Sequence, residues 1–335
     1  MNIGLIGLEK AGKTTIFNAL TGLDADISSY SSQKTEPNLA VVEVRDPRVD
    51  VLSSMYEPKK TIYATVQFTD FVCPPGSASE QGIFSGQSLG IIKTADALGI
   101  VLRNFSDETL DEVLGKPDPG KDLLTLEGEL LLSDQIQVEK RLSRIEADLA
   151  RGKKTPQLLS EEKLLKTIFQ ALEEGKPVRD ISLNPEDKKG ITGFAFLTAK
   201  PLFIILNSDE KRYGKNRDLI EALAEKYQVL EFAGAFEMEL SKLSAEDAAL
   251  FMQEIGLEES ARARLTTFAY QVLGLLSFFT VGKDEVRAWT LHQGETAVDA
   301  AGTIHSDLAR GFIRAECFSY RSEERRVGKE CRSRW

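Results

Sequence analysis

Cysteine and histidine are scarce in this 335-residue chain, long apolar runs and an excess of positive charge are missing, and each shortage removes a class of protein. The three cysteines, Cys73, Cys317 and Cys331, are odd in number and scattered, so neither a disulfide framework nor a zinc-ligand spacing is present. That usage fits a reducing compartment, and a cytoplasmic location is the expectation. The two histidines, His292 and His305, lie near the C-terminal end, far from the N-terminal glycine-rich motif, and neither is assigned a site. No apolar run approaches the ~20 residues of a bilayer-spanning helix, so no membrane partner is expected. Met1 leads directly into Asn2-Ile3-Gly4-Leu5-Ile6 without a basic stretch, so no secretory leader is expected either. Lys and Arg number 42 against 52 Asp and Glu, for a net charge of -10. A chain so acidic does not coat nucleic acid by bulk electrostatics, and no DNA partner is expected. The exception is local: Arg321 to Trp335 holds six Lys or Arg against three Glu, and removing that +3 leaves -13 for the rest.

What the chain does have is 42% hydrophobic residues, enough for packed cores in two or three units. Asn2 to Ile6 reads as an apolar strand, Gly7 to Gly12 as a turn and Thr14 to Leu20 as a helix. Apolar runs at Leu39 to Val44, Ile62 to Phe68, Ala97 to Leu102, Leu202 to Leu206 and Gln228 to Phe232 predict further strands. Short apolar strands alternating with helices predict an α/β fold with a mostly parallel sheet covered on both faces. Between Asp107 and Lys189 the period changes. Leu126, Leu130, Ile136, Leu142, Ile145 and Leu149 mark one helical face, Gly152 to Pro156 interrupts it, and Leu164, Leu165, Ile168, Phe169 and Leu172 mark a second helix that stops at Gly175-Lys176-Pro177. The two predict an inserted antiparallel helical hairpin, either a structural arm or an arm that docks a partner. Beyond Ser260 a helix is expected through Leu275, then a strand at Val286 to Thr290 with turns at Gly282 and Gly294, and a helix at Ala297 to Leu308, together a small α+β module. The resulting divisions are 1–106 and 191–276 for the two parts of the sheet domain, 107–190 for the insertion, 277–320 for the C-terminal module and 321–335 for a tail. That tail has almost no apolar residues; it reads as a basic appendage or as a non-native ending, and the second reading is preferred here.

Gly7-Leu8-Glu9-Lys10-Ala11-Gly12-Lys13-Thr14 fits G-x-x-x-x-G-K-[ST]. The glycines let the backbone curl so that successive N–H groups face phosphates, Lys13 adds a positive charge, and the Thr14 hydroxyl can ligate Mg²⁺. Its place between a predicted strand and a predicted helix is the context this motif requires, so a bound ATP or GTP with Mg²⁺ is expected. Asp70 closes the strand Ile62 to Phe68, where an acid can hold Mg²⁺ through water; a strand-end Asp that caps a turn is the plainer alternative. Asn207 and Glu210 follow the apolar strand Leu202 to Leu206, at the sheet edge where open α/β folds bind ligands, and could read a base edge.

Gly4 to Gly7 with Gly12-Lys13-Thr14-Thr15-Ile16-Phe17-Asn18-Ala19-Leu20-Thr21, then Glu36-Pro37-Asn38, Asp46-Pro47-Arg48, Pro58-Lys59-Lys60, Leu197-Thr198-Ala199-Lys200-Pro201, Glu285-Val286-Arg287-Ala288-Trp289-Thr290 and Gly311-Phe312-Ile313-Arg314-Ala315-Glu316 stand in one order along residues 1 to 320. In this the chain resembles the YchF (Obg-like ATPase) branch of the translation-factor GTPases. The resemblance implies a G domain with a coiled-coil insertion, a C-terminal TGS-like module cut short by the tail, slow Mg²⁺-dependent hydrolysis and contact with the ribosome or its RNA. It implies catalysis by Lys13 and Thr14, Mg²⁺ held by Thr14, Asp70 and a switch I threonine matched by Thr35 after a one-residue slip from Lys34, and nucleotide bound by residues Gly7 to Thr15. Asn207 and Glu210 take the family's Asn-x-x-Glu form in place of Asn-Lys-x-Asp, which implies ATP before GTP. Ala233-Gly234 stand where the family has Ser-Ala-Lys, so base contacts there would come from backbone. Asp70-Phe71-Val72-Cys73 replaces the family's Asp-x-x-Gly and removes the glycine's φ freedom. Glu9 sets a negative charge beside the phosphate loop, with Lys10 next to it as an offset. These departures favour binding over catalysis and keep a non-hydrolysing nucleotide sensor as the alternative.

Overall fold

The computed structural model describes residues 1–22, 37–71, 86–255, 257, 259–317 and 319–320. In chain order the elements are β1 (Asn2–Ile6), α1 (Lys13–Thr21), β2 (Asn38–Val44), α2 (Pro47–Tyr56), β3 (Lys60–Ile62), β4 (Ala64–Asp70), α3 (Gly86–Ile92), β5 (Ala97–Asn104), α4 (Glu108–Leu114), α5 (Pro119–Ala150) and α6 (Pro156–Glu173). They continue with α7 (Pro185–Ile191), β6 (Leu202–Ser208), α8 (Arg217–Ala224), β7 (Gln228–Phe232), α9 (Gly234–Leu240), α10 (Ala245–Ile255), α11 (Ala261–Val272), β8 (Leu275–Val281), β9 (Glu285–His292), α12 (Ala297–Ile304) and α13 (Ser306–Arg310). The chain divides into two compact units, residues 1–42 with 66–265 and residues 43–65 with 266–335.

The first unit is built on a six-stranded sheet in the order β2-β4-β1-β5-β6-β7. Strand β1 runs parallel to both β4 and β5, and β5, β6 and β7 continue the parallel set. Every residue of β5 and β6 is buried, as continuous apolar runs in a sheet covered on both faces must be. Because β1 has β4 on one side and β5 on the other, the loop after β1 opens at the point where the strand order reverses, the ligand crevice of open α/β sheets.

Helix α5 runs back along this sheet and beyond it. Leu123, Leu126 and Leu130 belong to the sheet's core, whereas Val138 and Ile145 join Leu165, Ile168 and Leu172 of α6 in a second core. Between the two lies Asp134, fully buried on the same stripe. Its carboxylate accepts from the Leu197 N–H (2.9 Å), the Thr198 N–H (2.8 Å) and the Thr198 hydroxyl (2.7 Å), just upstream of β6. The sequence reading placed Ile136 on the buried face, but Ile136 is exposed: the stripe passes through Asp134 and Val138 at four-residue steps, and a charged side chain there hides it from an apolar count.

In the second unit, β8 and β9 form an antiparallel pair and β3 lies parallel to β9. Phe278 and Trp289 face each other directly across the pair and stack with centroids 6.4 Å apart. Two expectations change here. The helix expected to run through Leu275 ends at Val272, and Leu275 opens β8, whose apolar residues share no helical period. The helix expected over Ala297 to Leu308 is two helices, because His305 takes an extended backbone (φ -164°, ψ 139°) and its ring nitrogen caps the Asp307 N–H. The tail 321–335 lies outside the described residues.

Candidate functional site

The glycine loop curls through two left-handed residues, Lys10 (φ 61°) and Gly12 (φ 91°). Gly12 also has no room for a side chain, since a Cβ there would stand 2.1 Å from Asn207 Nδ2, and one at Gly7 would stand 2.6 Å from the Val101 carbonyl oxygen. Gly12 caps α1 without a side-chain hydrogen bond, so the N–H groups at the start of that helix, from Lys13, Thr14 and Thr15, have no partner within it. The Lys13 ammonium is buried and donates to the carbonyls of Gly7 (2.9 Å) and Leu8 (2.8 Å), which places the charge at the mouth of the loop.

Asp70, the last residue of β4, meets the loop from the neighbouring strand. Its Oδ2 accepts from the Thr14 hydroxyl (2.8 Å) and from Asn38 Nδ2 (3.2 Å). Its Oδ1 is buried and has no hydrogen-bond partner among the described residues. Burial pushes the Asp70 carboxyl above the ordinary range, and the two donors and the charge of Lys13 oppose that shift. These contacts bring Thr14 and Asp70 together and add Asn38, which the sequence reading noted in the Glu36-Pro37-Asn38 motif but assigned no site role. Thr35, Lys34 and Cys73 lie outside the described residues.

On the other side of the loop, Asn207 is buried and acts as a brace. Its Nδ2 donates to the Ala11 carbonyl (3.0 Å) and its Oδ1 accepts the Gly234 N–H (3.2 Å), tying the phosphate loop to the turn after β7. Ala233 likewise gives its N–H to Glu237 Oε1 (3.0 Å). The expectation that Asn207 reads a base edge, and that Ala233 and Gly234 offer backbone donors there, is therefore altered: these groups are occupied in joining two loops. Glu210 is exposed just beyond β6 and makes no hydrogen bond or ion pair among the described residues. Glu9 is exposed and Lys10 half-buried, with no ion pair between them.

Sequence reasoning missed the support behind this turn. Glu237 is buried, and burial pushes its carboxyl up while Arg264 opposes the shift. The Arg264 guanidinium gives a single nitrogen, Nη2, to both carboxylate oxygens of Glu237, lies over the Phe232 ring (4.7 Å to the centroid) and donates from Nη1 to the Glu231 carbonyl (3.2 Å). No local pattern marks such a partner. Among the described residues no cluster of three or more His, Cys, Asp or Glu side chains is placed to cage a metal, so a cation here would rest on Thr14, Asp70 and oxygens of its ligand.

A family model described as a 50S ribosome-binding GTPase matches residues 2–126. A second, YchF-GTPase_C, described as a protein of unknown function, matches residues 275–333 and so continues past residue 320, where the sequence reading set the tail apart. The ribosome-binding ATPase YchF of Bacillus subtilis (strain 168) is 35% identical over 327 residues, covering 96% of this chain and 89% of that protein. The protein of the same name from Escherichia coli O157:H7 is 35% identical over 321 residues, covering 95% and 88%. The solved structure of the Schizosaccharomyces pombe YchF GTPase superposes with a TM-score of 0.75 at 28% identity, covering 93% of this chain and 86% of that one.

Proposed function

The chain belongs to the YchF family, and on that premise we propose that it is a slow, Mg²⁺-dependent nucleoside triphosphatase that prefers ATP and couples its turnover to ribosome binding. The observation that carries this reading is the convergence of Lys13, Thr14 and Asp70 around a curled glycine loop at the sheet's switch point. An ammonium has three donors; Lys13 uses two on loop carbonyls and keeps one for a phosphate oxygen. The N–H groups opening α1, which have no partner within the helix, supply further donors and the positive end of the helix dipole.

Thr14 and Asp70 are hard oxygen donors of the kind Mg²⁺ selects, and the orphaned Asp70 Oδ1 fits a water of that ion's shell. Bound Mg²⁺ would neutralise phosphate charge during transfer. Thr14 and Asn38 help keep Asp70 ionised for that task despite its burial. Asn207 is a positioning residue, holding the phosphate loop against the turn at Gly234. Glu210, longer by one methylene than the Asp of Asn-Lys-x-Asp, supports ATP, in line with the bacterial relatives named as ATPases. The hairpin of α5 and α6 takes the place of a coiled-coil arm and the β8–β9 module that of a TGS-like domain, in a protein we place in the cytoplasm.

Calorimetric titration of ATP and GTP in Mg²⁺, with Lys13→Ala as the control, tests this. ATP is expected to bind more tightly than GTP, and Lys13→Ala to weaken ATP by about tenfold or more, the loss of one charge-assisted contact. Tighter GTP binding would overturn the base preference. Failure of both nucleotides to bind would overturn the whole reading.

A further inference from the structure

At the amino-terminal edge of the parallel sheet, opposite the phosphate loop, a cavity of about 320 Å³ opens between the end of α3, the root of the helical hairpin and the turn before β6. Lys93, Lys140 and Arg144 line it. In a chain of net charge -10 these three cations line one cavity, and the carboxylate facing them is the buried Asp134, which acts on Lys93. Lys140 and Arg144 are exposed, make no ion pair among the described residues, and lie four residues apart on one face of α5, where like charges repel. Arg141 between them is already matched by Glu161, with two bonds of 2.7 Å. Lys93 gives a hydrogen bond to Gln137, and burial lowers its pKa while the nearby Asp134 carboxylate opposes the shift. Ser133 also lines the cavity, with its hydroxyl oxygen buried beneath the wall and without a hydrogen-bond partner among the described residues. Phe194 completes the wall with an aromatic face, fixed by the stack of its ring on Phe196 (5.1 Å) and by Gln137 Nε2 donating to its carbonyl (2.7 Å).

From this cavity we infer a second ligand site, one that takes a small phosphate monoester carrying a planar ring, of mononucleotide size. The cations match a dianion, and Phe194 offers a surface for the ring. The volume lies at the lower end of small-molecule pockets, which suits a compact ligand and not a nucleic-acid helix. The site shares no residue with the phosphate loop, and its occupancy is independent of the triphosphatase reading.

Phenyl phosphate, titrated into the full-length protein and followed by calorimetry, is the probe. Lys140→Gln with Arg144→Gln alters only exposed side chains on a helix and keeps good helix formers, so the fold is retained. We expect the double variant to bind phenyl phosphate about tenfold or more weakly, since each charge-assisted bond contributes appreciably. Phe194→Leu should weaken phenyl phosphate while leaving inorganic phosphate unchanged. Lys13→Ala should leave phenyl phosphate binding intact. Absence of binding at millimolar probe, equal binding by the wild type and the double variant, equal affinity for phenyl and inorganic phosphate, or loss of binding in Lys13→Ala would each overturn the assignment.

Discussion

Asp70, at the carboxyl edge of the sheet, and Asp134, on the stripe of α5 near the opposite edge, are both fully buried, and burial pushes both carboxyls above their ordinary range. They differ in how their oxygens are used. Asp134 takes three hydrogen bonds from Leu197 and Thr198, and both its oxygens are engaged. Asp70 takes two on a single oxygen, and the other is buried and unpaired among the described residues. A buried carboxylate with every lone pair directed to backbone and hydroxyl donors fastens one element to another; here it fixes the hairpin to the strand that follows. A buried carboxylate with an idle oxygen costs stability in the free protein, and the cost is offset when a ligand with its own positive charge or donor arrives. On this geometry Asp134 is a fastening acid, and Asp70 is the one left with an oxygen for the ligand we propose.

The most forceful way to break this comparison is Asp134→Ala. It would strand three buried donors and free the arm from the sheet, and we expect a loss of about 3–5 kcal/mol in unfolding free energy by urea titration. A loss below one unit on that scale would mean the arm is held by its apolar stripe, with the acid incidental. Next in size, and opposite in sign, comes Asp70→Asn. Without nucleotide or Mg²⁺ it should stabilise the protein by about 1–3 kcal/mol, because a neutral amide, though it too leaves one polar atom unpaired, avoids the cost of burying a charge. With Mg²⁺ and ATP present, the wild type should gain stability that the variant does not.

The pH dependence of that difference follows from the direction of the Asp70 shift. A raised folded pKa means that, between the ordinary carboxylate value and the raised one, the folded state holds a proton the unfolded chain has released. Stability therefore falls as pH rises through this window. Asp70→Asn does not titrate, so its advantage should be full above the window, fade as pH falls through it and be gone below the ordinary carboxylate value. Asp134 shifts in the same direction and is present in both proteins, so the difference isolates Asp70. Asp70→Asn that destabilises the free protein at neutral pH, as Asp134→Ala does, would collapse the distinction.

The two aspartates were unequally legible in the sequence. The phosphate loop and the Asp70 strand end announce themselves locally: a strand, six turning residues and a helix lie within one short stretch, and the acid closes an apolar run. The parallel sheet and the two hairpin helices were likewise readable from period and length. Asp134 was not, because a lone acid in a charged helix looks solvated until the surrounding steps of four, Leu126, Leu130 and Val138, are seen to be buried. Asn207 could be placed at its strand end, but its service as a brace depends on Ala11 and Gly234, which are distant in sequence. The grouping of residues 43–65 with the C-terminal unit rests on β3 pairing with β9, more than two hundred residues away, and no local pattern encodes a partner so remote.

Asn38→Ala makes the smallest change and sharpens the comparison most finely. Asn38 gives one of the two hydrogen bonds to Asp70 Oδ2, at 3.2 Å, and is the longer of the pair. Its removal leaves Thr14 as the sole donor, so the Asp70 carboxyl should rise further and the pH window should widen upward. The direct loss in stability at neutral pH should be about 1 kcal/mol, the net worth of one hydrogen bond to a charged group in partial burial. In the Asp70→Asn background the same substitution should cost less, because a neutral amide at position 70 needs the donor less than a carboxylate does. A double-mutant cycle over Asn38 and Asp70 reads that coupling directly. A coupling energy indistinguishable from zero would mean that Asn38 merely packs at the start of β2, leaving Thr14 and Lys13 to keep Asp70 charged.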